Sequence, residues 1–215
     1  MSSAIEIANL TKDFGGLKAV NELSLQVPQG SIFGFLGPNG AGKTTTIKVL
    51  LGLLKPTGGG ARVCGFDVVT QGLKVRQSVG YVSETDTMYG WMTAHQLASF
   101  CKSLYPRWND DLVKRYIEAF GLPTGRKVKH FSKGMKAQLA LTLALGPDPQ
   151  VLILDEPTSG MDPLARNEFL NHIVKEVAES GRTIFFSSHI LSEVQKVADS
   201  VAIVYRGKLL VSDEI

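Results

Sequence analysis

The sequence is poor in several features that mark specialised classes of protein. It has two cysteines, Cys64 and Cys101, with no metal-ligand spacing, so we expect small buried thiols in a reducing compartment. The longest apolar runs, such as residues 139–145, fall far short of the ~18 residues that span a bilayer. The first ten residues lack the basic and apolar regions of a secretory signal. We therefore expect a cytoplasmic protein that could still dock on a membrane partner.

The chain also has little excess of either charge, since its formal net charge is only +3. This value alone does not indicate a nucleic-acid or acidic membrane partner. No aromatic residues interleave with the basic ones as in base-stacking platforms, so we expect no nucleic-acid binding. What remains is ordinary globular composition, with 44% hydrophobic and 20% charged residues in a chain of 215. A chain of this length predicts one well-packed domain, with room for a subdomain.

Apolar patterns in the first third predict strands followed by a loop and a helix. The first thirty residues alternate apolar and polar and are broken by glycine and proline, which favours antiparallel strands. An apolar run at residues 32–36 then leads into a glycine-rich loop and a helix ending near Gly52. The glycines at 58–60 are interpreted as a break in regular structure before short strands at 62–64 and 78–82.

The middle third has helical patterns. Thr93 with Gln96 forms a capping-box signature, and Asn109 is placed to cap a second helix that stops at Gly121. We therefore expect an inserted helical subdomain over residues 85–146.

The last third returns to strands alternating with helices. The segments VLILD and TIFFSSH are apolar strands, and Asp162 is placed to cap the helix between them. A closing strand pair is expected around Gly207. Apolar strands separated by helices predict a mostly parallel sheet covered on both faces.

The segment GPNGAGKT, residues 37–44, satisfies the P-loop pattern. Its glycines let the backbone N–H groups turn inward on a β-phosphate, and the following helix adds its positive end. We expect Lys43 to bridge the β- and γ-phosphates and Thr44 to ligate Mg²⁺. The predicted nucleotide-binding residues of this segment are Gly37, Pro38, Asn39, Gly40, Ala41, Gly42, Lys43, Thr44 and Thr45.

Two later strands end in polar residues that could reach the same sheet edge. VLILDEP ends in Asp155, the expected Mg²⁺ ligand, and Glu156, the expected base that polarises the attacking water. Such a pair alone could be a structural cap, but downstream of a P-loop it favours catalysis. His189 ends the strand TIFFSSH, and that position favours a catalytic role over a structural one.

These motifs, in this order, resemble the nucleotide-binding cassette of ABC transporters over nearly the whole chain. The resemblance implies that FSKGMKAQ, residues 131–138, is the signature motif, which binds the γ-phosphate of ATP held by the opposite protomer. Physically, a serine at a helix N-cap within a run of lysines favours an anion, although an ordinary solvated basic face is the alternative. The predicted signature residues are Ser132, Lys133, Gly134 and Met135.

The resemblance assigns three further residues. Phe14 is similar to the aromatic that stacks on adenine, although an isolated phenylalanine is more often a core residue. Asp162 in SGMD matches the D-loop that crosses the dimer interface, and Glu84 stands where the family usually has the Q-loop glutamine, as a Mg²⁺ ligand. Glu84 and the FSKGM variant are similar to those of bacterial cassettes paired with small exporter-type permeases.

The implied fold class is α/β: a P-loop NTPase with a mostly parallel core sheet, an N-terminal antiparallel β subdomain and an inserted α-helical subdomain. One domain, residues 1–215, would combine a catalytic core (1–84 and 147–215) with the helical part (85–146).

The implied function is an ATPase subunit that uses ATP and Mg²⁺. It would pair with a second cassette, identical or paralogous, and couple pairing to a separate membrane permease, with export favoured and a peripheral location on the cytoplasmic face. One alternative is a soluble ABC-type ATPase of DNA repair or translation, although such proteins usually carry tandem cassettes or long coiled coils. Another is a nucleotide-gated subunit that hydrolyses little.

Overall fold

The computed structural model describes residues 2–215, with the side chains of all of these except 177 and 178. The first of its two sheets is antiparallel and has the strand order β2-β1-β4-β5. This sheet confirms the antiparallel strands predicted at the start of the chain. Its strands are β1 (Ser3–Asp13), β2 (Lys18–Pro28), β4 (Gly58–Val63) and β5 (Phe66–Asp67).

The second sheet has six strands in the order β10-β9-β3-β8-β7-β6, and only the β9–β10 pair is antiparallel. Every residue of β3, β7 and β8 is buried, which explains their uninterrupted apolar sequences. Because these three are parallel neighbours, their carboxyl ends lie at one edge. The strands are β3 (Ile32–Leu36), β6 (Val79–Val82), β7 (Val151–Asp155), β8 (Thr183–Ser188), β9 (Ser200–Tyr205) and β10 (Lys208–Glu214).

Two helices of the middle third begin where the sequence places caps. Thr93 Oγ1 accepts the N–H of Gln96, and Gln96 Oε1 accepts the N–H of Thr93, so the predicted capping box is confirmed. Asn109 caps the next helix by accepting the N–H of Leu112. The helices are α1 (Lys43–Leu50), α2 (Gly72–Ser78), α3 (Ala94–Leu104), α4 (Asp110–Ala119), α5 (Lys133–Leu145), α6 (Pro163–Ser180) and α7 (Leu191–Val197).

The interpretation of the glycines at 58–60 as a break in regular structure was wrong, because they form the first half of β4. Gly59 has a φ of +64°, and a Cβ on it would lie 2.1 Å from the carbonyl oxygen of Asn9. Asn9 itself has a positive φ of 48°, and the β1–β4 register shifts after Ala8. The glycine run therefore allows β1 and β4 to pair at very close distance and with an irregular register.

The core lies on both faces of the large sheet, with a separate apolar cluster among the helices. Phe33 and Phe185 stack within the first cluster, with ring centroids 5.9 Å apart. The separate cluster joins Leu97 of α3 to Leu139 of α5. Helix α5 lies against β6 closely enough that a Cβ on Gly80 would be 2.4 Å from the carbonyl oxygen of Ala144.

Among residues 2–215, no helix has both the length and the apolar character needed to cross a bilayer.

Candidate nucleotide site

The P-loop is held between the end of β3 and strand β2. Its first glycine, Gly37, donates its N–H to the carbonyl oxygen of Ser188 at 3.1 Å. Gly42 has a φ of +100°, and a Cβ there would lie 2.2 Å from the carbonyl oxygen of Ala19. Both the conformation and the close approach require glycine at position 42. The loop then enters α1 at Lys43.

Lys43 is buried in the loop that it follows. Its Nζ donates to the carbonyl oxygens of Gly37 at 2.6 Å and Pro38 at 3.1 Å. The same ammonium lies 3.1 Å from Glu156 Oε1, and the two side chains are only 5% and 6% exposed. The contact does not meet hydrogen-bond geometry, so Oε1 keeps an unused acceptor position. Lys43 thus joins the P-loop to the end of β7 through a buried ion pair.

Glu156 also contacts His189. His189 Nδ1 lies 2.8 Å from Glu156 Oε2, so this ring nitrogen carries the hydrogen that the carboxylate accepts. The backbone of Glu156 has a φ of 48°, a left-handed conformation that costs a non-glycine residue about 1 kcal/mol. Its N–H donates to Ser187 Oγ at 2.9 Å, and that hydroxyl donates to Asp155 Oδ1 at 2.7 Å. One serine therefore fixes the positions of both acidic residues.

A cavity of about 440 Å³ lies beside Lys43 and Glu156, within the size range of small-ligand sites. Phe14 lies at its rim between β1 and β2, is 51% exposed, and has Lys12 Nζ 5.0 Å from its ring centroid. This exposure excludes the core interpretation of Phe14. The residues that line the cavity are Phe14, Leu17, Ala19, Asn39, Gly40, Gly42, Lys43, Thr44, Thr45, Glu84 and Glu156.

Negative charge is concentrated on one side of the site. Asp155 is 1% exposed, and Glu84 reaches the cavity from the segment after β6. The pKa of Tyr81 is raised to about 12, first by burial and then by the charges of Asp155 and Glu84. No cluster of three or more His, Cys, Asp or Glu side chains that could hold a metal occurs among the described residues. Thr44 and Glu84 line the cavity, and a hydroxyl and a carboxylate are oxygen donors that suit Mg²⁺, which takes its other ligands from phosphates and water.

The signature segment, residues 131–138, leads into helix α5. Ser132 caps α5, with its Oγ accepting the N–H of Met135 at 3.2 Å, so the predicted N-cap is confirmed. No residue of 132–135 is among the described residues lining the cavity. Lys133 instead lines a smaller cavity of about 90 Å³ with Glu84 and Glu156, and its Nζ packs against Gly160.

Asp162 caps α6 as predicted. Its Oδ1 accepts the N–H groups of Leu164 at 3.1 Å and Ala165 at 3.0 Å. Its D-loop role across an interface stays a prediction.

Sequence reasoning missed three residues of the site. Ser187 lies inside the segment TIFFSSH, and a hydroxyl one strand away from two carboxylates was the signal available. Leu17 and Ala19 line the cavity because the β1–β2 turn folds over the P-loop. Their sequence carries no signal for this position, because the contact depends on tertiary packing.

The family model described as ABC transporter matches residues 20–159. The chain is 41% identical over 215 residues to the probable multidrug ABC transporter ATP-binding protein YbhF of Escherichia coli (strain K12), covering 98% of this chain and 37% of that protein. It is 40% identical to the bacitracin transport ATP-binding protein BcrA of Bacillus licheniformis, covering 98% of this chain and 69% of that protein. The chain thus spans from about a third to about two thirds of these relatives.

The fold is similar to a solved structure of the ATP-binding subunit of an ABC transporter. The two superpose with a TM-score of 0.88 at 27% sequence identity, covering 99% of this chain and 90% of the other. The likeness extends over both sheets and the helices between β6 and β7, which is the architecture that the sequence motifs predict.

Proposed function

The chain belongs to the ABC transporter family, and on this premise we propose that it is the ATP-binding and ATP-hydrolysing subunit of a transporter, coupling MgATP to a separate permease. One observation carries the proposal. Lys43 and Glu156 line a cavity that an exposed aromatic ring also lines, and His189 extends this pair through its contact with Glu156.

ATP would enter with its adenine on the Phe14 ring and its phosphates on the loop of residues 39–44. The loop N–H groups and the start of α1 favour the β-phosphate there. Lys43 already points into the loop, where its ammonium is shared between two carbonyl oxygens and Glu156. Phosphate oxygens would replace Glu156 as the ionic partner of Lys43. Nucleotide binding therefore frees the carboxylate for catalysis.

Mg²⁺ would be held by the Thr44 hydroxyl and the carboxylates of Asp155 and Glu84, together with phosphate oxygens and water. The ion supplies charge neutralisation of the β- and γ-phosphates when bound. Ser187 keeps Asp155 in place for this role through its 2.7 Å hydrogen bond. The unusual Glu84 adds one negative charge beyond the amide that the family usually has here.

Glu156 is the proposed general base. Once Lys43 turns to phosphate, the Glu156 carboxylate can accept a proton from the attacking water, as a positioned carboxylate does in phosphoryl transfer. His189 holds Oε2 through its Nδ1–H, which leaves Oε1, the atom without a hydrogen-bond partner, for the water. The left-handed backbone at Glu156 turns the side chain off the strand direction and toward the cavity.

A second copy would complete each site. Ser132 and the first N–H groups of α5 form a capped helix start with basic neighbours, and no described residue of 132–135 lines the larger cavity beside the P-loop of its own chain. Two chains placed head to tail would bring each signature segment to the other chain's γ-phosphate, with Asp162 near the interface. The partner is a second cassette, identical or paralogous.

Residues 85–146 would act as the part that moves, against a core of 1–84 and 147–215. The Lys136 ammonium on α5 lies 2.7 Å from Asp86 in the segment after Glu84. Movement of the signature segment would therefore shift the segment after Glu84, next to the proposed Mg²⁺ ligands. Next to this segment, Tyr89, Trp91 and Phe100 form an exposed aromatic group, 48%, 63% and 37% exposed, suited to a permease contact.

Export and a peripheral location on the cytoplasmic face complete the proposal. The relatives carry names of multidrug and bacitracin transport, which supports a transport role over DNA repair or translation.

The test is a comparison of Glu156→Gln with Lys43→Ala in purified protein. Glu156→Gln is expected to bind ATP, to stay dimeric with ATP present, and to release phosphate at least about a hundredfold more slowly than wild type. Lys43→Ala is expected to lose both ATP binding and pairing. Size-exclusion chromatography with multi-angle scattering and a phosphate assay report these outcomes. Unchanged turnover in Glu156→Gln would refute the assigned base.

A further inference from the structure

Glu193, in helix α7, is a buried carboxylate that the proposed chemistry does not use. It is 3% exposed. Both of its oxygens lie 2.9 Å from Thr158 Oγ1, and Oε2 also accepts the hydroxyl of Ser188 at 2.7 Å. Arg166 Nε lies 3.1 Å from Oε1. The carboxylate thus collects two hydroxyl donors and one guanidinium from three different segments.

Each partner of Glu193 adjoins a proposed functional residue. Thr158 follows Glu156 by two positions, and Ser188 immediately precedes His189. Arg166 lies in the first turn of α6 and donates to the carbonyl oxygen of Met161 at 3.3 Å, which holds the segment before Asp162. The carboxylate therefore contacts residues close in sequence to both Glu156 and His189, and it is not among the described residues that line the cavity.

Helix α7, which carries Glu193, is held in place by close packing. A Cβ on Gly34 of β3 would lie 2.4 Å from Val194 Cγ1, so α7 packs directly on the strand that leads to the P-loop. Val194 is 0% exposed. Ser188 Oγ in addition accepts the N–H of Ile190 at 3.0 Å, which ties the start of α7 to the end of β8. Movement of Glu193 relative to the P-loop is therefore restricted by packing.

A buried charge is costly to maintain, and well-packed apolar residues often replace such groups without loss of stability. A contribution to stability therefore does not by itself explain why position 193 carries an acidic residue. Its oxygens, however, accept from hydroxyls beside two reacting side chains at once, which an apolar residue cannot do.

We propose that Glu193 is a positioning residue that holds Thr158 and Ser188 so that Glu156 and His189 stay in contact. The expected effect of Glu193 on catalysis rests on the proposed function. Its expected effect on the positions of Glu156 and His189 rests only on contacts within one chain. Glutamine at 193 keeps the size but removes the charge that Arg166 faces. The amide has only one acceptor oxygen. At the Oε2 position this oxygen accepts from both hydroxyls but the NH2 group then faces Arg166, and at the Oε1 position it faces Arg166 but the NH2 group then faces the Ser188 hydroxyl.

The experiment compares Glu193→Gln with Glu176→Gln. Glu176 is a matched control because it is also a buried carboxylate, 2% exposed, that accepts from a hydroxyl, that of Tyr116, and pairs with a guanidinium, that of Arg182. It contacts none of the described residues assigned to nucleotide binding or catalysis. The readouts are the kcat and KM for ATP in phosphate release, and the ring signals of His189 in the nucleotide-free protein by NMR.

For Glu193→Gln we expect kcat to fall roughly tenfold or more, because small misplacements of reacting groups are costly. The KM for ATP should stay within about twofold, since the P-loop is untouched. The His189 ring signals should shift as they do in Glu156→Gln. Glu176→Gln should lose stability but keep kcat and the His189 signals. An unchanged His189 signal in Glu193→Gln, or a kcat loss matched by Glu176→Gln, would overturn the proposal.

Thr158→Val provides a second, gentler variant if Glu193→Gln does not fold. It removes one hydroxyl donor at nearly constant volume, and we expect a smaller shift of the same His189 signals with a smaller loss of kcat. No shift would count against the proposal. If wild-type protein releases phosphate no faster than Lys43→Ala, the proposed function fails instead, and the His189 signals alone then decide the role of Glu193.

Discussion

The buried pair between Lys43 and Glu156 makes a quantitative prediction about the protein without nucleotide. Lys43→Met keeps the length of the side chain but removes the ammonium. Glu156, 6% exposed, is then left with His189 as its charged or polar partner, and the carbonyl oxygens of Gly37 and Pro38 lose a donor. Breaking a buried pair from one side costs about 3–5 kcal/mol. Because His189 still contacts the carboxylate, we expect about 3 kcal/mol.

A double-mutant cycle separates the pair from the other contacts of Lys43. With Glu156→Gln already present, Lys43→Met removes only its hydrogen bonds to the two carbonyl oxygens, so its cost should drop to about 1 kcal/mol. The coupling energy between the two positions is then about 2 kcal/mol. The measurement is urea denaturation of the four proteins without nucleotide, followed by circular dichroism.

Lys102→Met is the matched control, because the ion pair between Lys102 and Asp110 is exposed, at 52% and 66%. That substitution should cost less than about 0.5 kcal/mol. If Lys43→Met costs no more than Lys102→Met, or if the cycle shows no coupling, the ion pair does not join the P-loop to the end of β7 and the reasoning fails.

Two further predictions concern Phe14 and His172. Phe14→Ala should weaken ATP binding about tenfold, since stacking on a base contributes about 1–3 kcal/mol, while the free energy of unfolding barely changes because the ring is exposed; unaltered affinity in an ATP titration would remove Phe14 from the site. Burial, followed by the nearby Lys175 charge, lowers the pKa of His172, whose ring lies 4.4 Å from that of Phe120. The folded state thus disfavours the proton, so wild type should lose stability relative to His172→Phe as the pH falls through the unfolded value near ~6.5. Urea titrations at pH 8 and pH 5.5 check this, and an equal difference at both would contradict it.

Local signals were the part of the fold that could be predicted. The caps at Thr93, Asn109 and Ser132 follow from side-chain oxygens placed three residues before a backbone donor. The buried strands β7 and β8 follow from uninterrupted apolar runs. The glycines at 58–60 were misinterpreted because their conformation is set by the distant carbonyl of Asn9, which no local pattern reveals.

For the candidate site, the sequence supplied the residue types and the structure supplied their distances. The P-loop glycines, Lys43 and the pair Asp155–Glu156 are recognisable because phosphate and metal chemistry require those side chains next to strand ends. The ion pair between Lys43 and Glu156, the hydroxyl of Ser187 shared by two acidic residues, and the cluster around Glu193 were not predictable. The sequence determined which groups the chain carries and where each strand delivers them. Only the parallel order β3-β8-β7 decided which groups meet, because contacts between residues on different strands, such as Lys43 with Glu156 and Ser187 with Asp155, depend on how the sheet is assembled and not on neighbours in the chain.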